Sequence, residues 1–272
     1  MKKRPWFQSI VGLALLACAF PAFAADALDA VQAKGVLVVG VKDSSPPFGY
    51  VDEKTRAIVG YDVDVVAAIA KKLGVKLEIK PVTSASRMPQ LLEGNIDIVA
   101  ATMTKTPERA KQIDFSYTYF LTGQKFLVKK GTVKSLADLN GKKIGTSKGS
   151  TSEQNVAKAL PNAVILSFDD YPQAFLALQQ GKVFGVTTDE SILAGMLAKA
   201  PNKDQFEIPH IKISDEPYGL GIRKGDTKLL HAVNRALLEM EKSGEAKSIF
   251  EKWFGPASPT PMTRTFKIEP DK

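Results

Sequence analysis

The stretch Ile96-Asp97-Ile98-Val99-Ala100-Ala101-Thr102-Met103-Thr104-Lys105-Thr106-Pro107-Glu108-Arg109 joins an apolar run to two spaced hydroxyls, a proline and an arginine. Residues 96–101 read as a buried strand, which sets Thr102 and Thr104 on its rim. Pro107 suits the first turn of a short helix that carries Arg109 back toward them. A guanidinium offers two parallel N–H bonds, and threonine adds neutral donors without further charge to desolvate, so the group suits a carboxylate. The plainer alternative has Thr106 capping the helix and Arg109 solvated on its surface.

Before this stretch, strands and helices alternate with short connections. Residues 36–41 are an apolar strand after a short helix ending near Gly35. Asp62 is expected to cap a helix whose Val65, Val66, Ile69 and Leu73 face inward and which Gly74 ends. Residues 76–80 alternate as a strand, and 88–92 form a short helix ended by Gly94. After a strand at 124–129 the α/β pattern begins afresh and occupies about 131–216. A strand at 218–223 and helices at 227–242 and 246–253 follow; lacking a sheet of their own, they return to the first unit. Such a discontinuous lobe implies two crossings, near 125–130 and 217–223, able to act as a paired hinge. The expected division is 1–24 as a signal peptide, 25–128 and 218–272 as the first lobe with its tail, and 129–217 as the second lobe.

The amino terminus has the order of a secretory signal: Lys2, Lys3 and Arg4, an apolar stretch over 10–20, then Ala22-Phe23-Ala24 before the cleavage site. No apolar stretch reaches the ~20 residues of a membrane-spanning helix. Leu15-Leu16-Ala17-Cys18 resembles a lipobox, but the apolar residues after Cys18 and the later cleavage site favour release over a lipid anchor. Removing 24 of 272 residues leaves 248, and losing three cations takes the formal charge from +8 to +5. The only cysteine goes with the signal, so disulfides, a thiolate nucleophile and cysteine metal sites are not expected. The remaining lysines are interleaved with Asp and Glu, which is a solvated surface and not a nucleic-acid stripe. A soluble monomer without cofactor or metal is the expectation.

Catalytic signals are weak. His210 and His231 are the only histidines, and neither stands in a triad-like context. Asp169-Asp170 reads as a helix start, and Lys148-Gly149-Ser150-Thr151 only mimics a phosphate loop.

Several motifs follow in register: 36–40 (Val-Leu-Val-Val-Gly), Pro47-Phe48, 60–64 (Gly-Tyr-Asp-Val-Asp), 94–97 (Gly-Asn-Ile-Asp), Thr104 with Glu108-Arg109, Asp114-Phe115-Ser116 and 141–145 (Gly-Lys-Lys-Ile-Gly). Together they resemble the polar amino-acid solute-binding proteins that feed ABC importers (extracellular solute-binding protein family 3), over residues 26–256. Residues 82–89, 149–153 and 243–246 with Trp253-Phe254 look most like the glutamate and aspartate binders. The resemblance implies a two-lobed α/β periplasmic binding protein fold (type II), each lobe a sheet flanked by helices, with a two-strand hinge. It also implies a protein that is not an enzyme, that captures an amino acid, most simply glutamate or aspartate, in the periplasm, and that delivers it to a transmembrane permease. The alternatives are another polar amino acid such as glutamine, or an enzyme of the same fold similar to cyclohexadienyl dehydratases.

On this basis Arg109, Thr104 and Thr102 are expected on the α-carboxylate. Ser150 and Thr151, opening a helix with the capping box Ser150-x-x-Glu153, add amides and a positive dipole end. Asp189, at a strand's carboxyl end, is the expected partner of the α-ammonium, its alternative being a helix N-cap. Arg87 and Lys42 correspond, by resemblance, to positions where acidic-amino-acid binders place cations, although Lys42 departs from the arginine expected there. Tyr171 falls where such binders carry histidine, and Ser84 is a further donor. Ser45 replaces an aromatic usual in neutral and basic amino-acid binders, and Phe48 is expected in the lobe core or pocket wall.

Overall fold

A computed structural model describes residues 27–271; the signal peptide and Cys18 expectations lie outside the described residues. The first sheet is built on α1 (Ala27–Lys34) and β1 (Val36–Val41), whose apolar run is buried between parallel neighbours. A small antiparallel sheet of β2 (Ser44–Ser45), β3 (Gly49–Val51) and β4 (Ile58–Val59) precedes α2 (Tyr61–Leu73). Then come β5 (Lys76–Pro81), α3 (Arg87–Leu92), β6 (Ile98–Ala100), α4 (Pro107–Ala110) and β7 (Ile113–Phe115). In α2, Val65, Val66 and Ile69 are buried, and the left-handed Gly74 ends the helix. Asp62 does not cap it: Gly60 is the N-cap, and Asp62 lies buried in the first turn, bonded elsewhere.

The long β8 (Phe120–Lys129) enters the second sheet, followed by β9 (Lys143–Ser147), α5 (Thr151–Ala159), β10 (Val164–Phe168), α6 (Tyr171–Gln179), β11 (Gly185–Asp189), α7 (Glu190–Lys199), β12 (Phe206–Glu207) and β13 (Ser214–Tyr218). β14 (Gly221–Arg223) then returns to the first sheet between β6 and β7, antiparallel to both. The first sheet has the order β5-β1-β6-β14-β7, and the second the order β10-β9-β11-β8-β12 with β13 on β8. β9, β10 and β11 are parallel, whereas β8 runs against β11, β12 and β13. The amphipathic α8 (Thr227–Ser243) and α9 (Glu245–Phe254) turn their buried faces to α2.

The segment expected as one strand over 218–223 is therefore two, because Gly219 and Leu220 separate a strand bonded to β8 from one bonded to the first sheet. The β8–β13 ribbon pairs Phe120 with Tyr218 and Gln124 with Ser214, and it joins the two sheets. Its root is aromatic. Phe120 and Tyr218 pack against Phe48 at 4.9 and 5.5 Å between centroids, and Phe120 lies 5.0 Å from Phe254, so Phe48 is a core residue.

After a turn over residues 255–260, residues 261–271 run as a strap without regular secondary structure over this core. Phe266 packs on Phe120 and Phe250, and the Arg264 guanidinium makes two hydrogen bonds to the half-buried Glu241, holding its carboxyl below the usual range. Arg264→Ala is expected to cost roughly 1–2 kcal/mol, or ~2–8 °C in Tm, because it removes charge-assisted bonds at a partly exposed site. Thermal unfolding of the variant measures this, and an unchanged Tm would mean that the strap adds nothing.

Candidate functional site

The strands of both sheets end at a common interface. Across it, Gly149 before α5 has φ +75°, and a Cβ there would lie 2.9 Å from Ala85 Cα of the first lobe. Gly195 on α7 approaches Pro46 so closely that a Cβ would meet its carbonyl oxygen at 2.0 Å. The lobes are closed on one another, and any side chain at either glycine would hold them apart.

On the first-lobe side, Lys42 follows β1 and Arg87 begins α3; each is only 2% exposed. Lys42 Nζ donates to Ser84 Oγ at 2.7 Å and lies 6.0 Å from the Tyr171 ring across the interface. Burial, and then the nearby Arg87 charge, hold the Lys42 ammonium well below its ordinary pKa. Arg87 donates to the carbonyl oxygens of Ala101 and Thr102 at 2.5 and 3.1 Å, while its buried Nε has no partner. Thr102 has φ +49°, a conformation held by its N–H donating to Asp62 Oδ2 at 3.0 Å. Asp62 also accepts from Tyr119 at 2.7 Å, yet burial raises its carboxyl to about 7.

Thr106 caps α4 by accepting from the Arg109 N–H, and Pro107 occupies its first turn. That cap does not leave Arg109 on the surface. Its guanidinium turns inward, donating to Thr104 O at 2.8 Å and to Gly149 O of the second lobe at 3.4 Å. Burial pulls it down to about 9, Arg87 adds to this and Glu216 opposes it, so Arg109 stays charged at neutral pH. Two of its five N–H donors serve these bonds, which leaves others for a ligand.

On the second-lobe side, Ser150 is the N-cap of α5, accepting from Glu153 N. The expected capping box is displaced by one residue, because Glu153 Oε2 accepts from Gly149 N. Ser150 Oγ itself donates to Ser147 O at 2.6 Å, so this hydroxyl is committed to the turn. The first-turn amides of Thr151 and Ser152 have no acceptor within the helix. Tyr171 opens α6, buried, with its hydroxyl pushed up first by burial and then by Asp189. Asp189 occupies the N-cap position of α7 without capping it: its side chain makes no cap bond and turns into the interface. There Tyr218 donates to Oδ2, Oδ1 is buried without a partner, and the residue is 4% exposed. Burial, then Glu216, raise the Asp189 carboxyl to about 7.

The ten expected residues converge, but the hydroxyls point differently than expected. Thr102 Oγ1 donates to Ala101 O, and Thr104 and Thr151 both donate to Glu216 Oε2, at 2.6 and 2.9 Å. With those protons committed, these threonines offer lone pairs to the cleft and are not donors to a carboxylate. Glu216 is the residue that sequence reasoning missed. It is 1% exposed on β13, where Ser214, Glu216 and Tyr218 alternate and all three reach the interface. Assigning that strand would have found it by period two. Gln124, at the end of the ribbon, also went unread; its Nε2 donates to Ser152 O and Thr187 Oγ1.

His210 and His231 are exposed. Among the described residues no group of three or more His, Cys, Asp or Glu is placed to hold a metal ion, and no helix is long and apolar enough to cross a membrane.

The cleft thus gathers Lys42, Arg87 and Arg109 against Asp189 and Glu216, with unpartnered nitrogen and oxygen at Arg87 and Asp189. Such a site suits a small zwitterion. Similarity to known proteins agrees. The sequence profile of the bacterial extracellular solute-binding proteins, family 3, matches residues 37–256. The ABC transporter glutamine-binding protein of Bacillus subtilis (strain 168) is 40% identical over 233 residues, 84% of each chain. The glutamate/aspartate import solute-binding protein of Escherichia coli (strain K12) is 35% identical over 270 residues, 94% of this chain and 89% of that one. A solved structure of an ancestral arginine-binding protein bound to glutamine has TM-score 0.78 at 47% identity, covering 81% of this chain and 98% of that chain.

Proposed function

The chain belongs to the bacterial extracellular solute-binding proteins, family 3, and on that premise we propose that it captures an acidic amino acid, glutamate or aspartate, in the periplasm and delivers it to the permease of an ABC importer. The observation that carries the acidic assignment is the pair Lys42 and Arg87. Both are almost fully buried, one bonded to a hydroxyl and the other to carbonyl oxygens, and neither makes a salt bridge to a carboxylate among the described residues; Asp170 and Asp43 act on Lys42, and Asp189 on Arg87, only through space. Buried cations without a contacting countercharge are costly, and a ligand side-chain carboxylate supplies one.

At the other end of the ligand, Arg109 and the first amides of α5 receive the α-carboxylate, and Asp189 Oδ1 receives the α-ammonium. Thr104 accepts from Arg109 at its main-chain oxygen, and its hydroxyl, like that of Thr151, donates to Glu216. Closure pivots on the β8–β13 ribbon, upstream of 125–130, since those residues through Lys129 already pair with β11 and β12. Each charge-assisted bond contributes ~1.5–3 kcal/mol; four or five of them, less closure costs, are enough for micromolar binding at ~8 kcal/mol. The protein works as an exported monomer after cleavage beyond Ala24. Turnover of the ligand is not part of this reading, because Glu216 is saturated by four donors and Asp189 is accounted for by the ammonium.

Glutamine is the second reading, favoured by the Bacillus subtilis relative and by the glutamine-bound ancestral structure. Its amide oxygen would accept from Arg87 or Lys42 without neutralising either. Calorimetry against glutamate, aspartate, glutamine, histidine and arginine decides: tight glutamate or aspartate binding supports the proposal, and tight glutamine binding without them replaces it.

Lys42→Met sharpens the test. It is expected to weaken glutamate by ~10–100-fold and glutamine far less. The pH dependence at Lys42 has a definite sign. An acidic ligand raises the depressed Lys42 pKa, so binding takes up a proton there, and this contribution to glutamate affinity falls as pH rises from the depressed value toward the value in the complex. The ammonium at Asp189 acts oppositely, drawing a proton off a carboxyl raised to about 7. Buffer-dependent calorimetric enthalpies of the parent and of Lys42→Met share the Asp189 release, so their difference reports the Lys42 uptake. No difference between the two would count against a carboxylate beside Lys42.

A further inference from the structure

We propose that Glu216 is a positioning residue that latches the closed cleft, an inference that rests on the closing-lobe reading above. Its Oε2 accepts two protons from opposite sides: Thr104 of the first lobe at 2.6 Å and Thr151, the first residue of α5 in the second, at 2.9 Å. The two hydroxyl oxygens are themselves 3.3 Å apart. Any opening that separates these threonines gives up at least one bond to the shared oxygen. The other oxygen, Oε1, accepts from Asn155 Nδ2 at 2.8 Å and from Ser214 Oγ at 2.5 Å, which ties the carboxylate to α5 and its own strand.

The position within the chain explains why this carboxylate can sense closure. Glu216 lies where the ribbon changes hands. Just beyond it, Lys105 N donates to Pro217 O and Gly219 N to Met103 O, both first-lobe pairings; on its near side Ile213 N donates to Gln124 O at the entry to the second sheet. With three of its four donors outside the first lobe, Glu216 moves with α5, and the Thr104 bond is the one opening breaks. That bond is charge-assisted and lies in a site from which water is excluded, the setting in which such a bond is strongest. Because Thr104 O also accepts from Arg109, the latch and the carboxylate clamp share one residue, and ligand that orders Arg109 reinforces the latch.

The test uses the mature protein carrying spin labels at Lys54→Cys and Lys158→Cys, exposed positions on the two lobes in a chain whose only native cysteine is Cys18. Electron–electron distance measurements without ligand, and stopped-flow release of bound amino acid, are made on the parent and on Glu216→Gln, Thr104→Val and the double variant. Each single variant is expected to shift the ligand-free distances toward the open form and to speed release about tenfold, with association unslowed and the double variant no worse than either single. Thr104→Val keeps the three other Glu216 donors, so it carries the test should Glu216→Gln not fold. Distances and release both unchanged in a folded variant, or a lowered Tm alone, would overturn the latch. The ligand-free distances do not depend on ligand identity: a shift there in a protein that binds no acidic amino acid keeps the latch and rejects the acidic reading.

Discussion

Arg109→Ala is expected to abolish amino-acid binding. The guanidinium bridges the lobes, through Thr104 O of its own lobe and Gly149 O of the other, and it keeps donors free toward the cleft. Losing two charge-assisted bonds to a carboxylate removes about 3–6 kcal/mol, or roughly 10²–10⁴-fold in Kd, which moves a micromolar ligand beyond detection. Lysine at this position restores the charge but not the two-pronged geometry, so Arg109→Lys should recover only part of the loss. Calorimetry on both variants, with circular dichroism to show that they fold, checks this. Micromolar binding by Arg109→Ala would remove Arg109 from the clamp.

Asp189→Asn is the second large effect, and it has two parts of opposite sign. The bound ligand's ammonium loses its counter-ion in a buried site, at a cost of roughly 3–5 kcal/mol. The ligand-free protein, by contrast, gains stability. The Asp189 carboxyl is raised from 3.8 to about 7, so the folded state holds a proton that the unfolded state has released. Its contribution to stability is fully present below the unfolded value and is lost as pH rises through about 7. Asparagine keeps an acceptor for Tyr218 and never ionises. At pH 8 the variant's ligand-free Tm should therefore exceed the parent's, and the gap should close toward pH 4. Asp62, raised similarly, contributes the same slope in both proteins. A Tm lowered at pH 8 would mean that the Asp189 charge stabilises the fold, contrary to its environment.

Much of this was legible because period and punctuation act locally. The apolar run of β1, the alternation of β5, Thr106-Pro107 before α4 and Gly74 after α2 each fix a short piece of backbone through its own sterics and caps. The convergence of Arg109, Asp189, Lys42 and Arg87 came from resemblance, since no local rule brings together residues up to 147 positions apart in the chain, from Lys42 to Asp189. What escaped was set by tertiary partners. Asp62 looks like a cap, but the Thr102 amide and the Tyr119 hydroxyl claim it from across the lobe. Residues 214–218 carry a proline and two acids and do not read as a strand; β8 makes them one, and Glu216 gains its role through that pairing. The threonines were recognised by position, yet the direction of their hydroxyl protons depends on Glu216.

The most direct measurement is a crystal structure of the mature protein grown with glutamate. The account predicts one amino acid enclosed between the lobes, its α-carboxylate on Arg109 and the amino end of α5, its ammonium on Asp189 Oδ1 and its side-chain carboxylate against Lys42 and Arg87. A ligand seated elsewhere, or Arg109 and Asp189 turned away from a shared cavity, would contradict it.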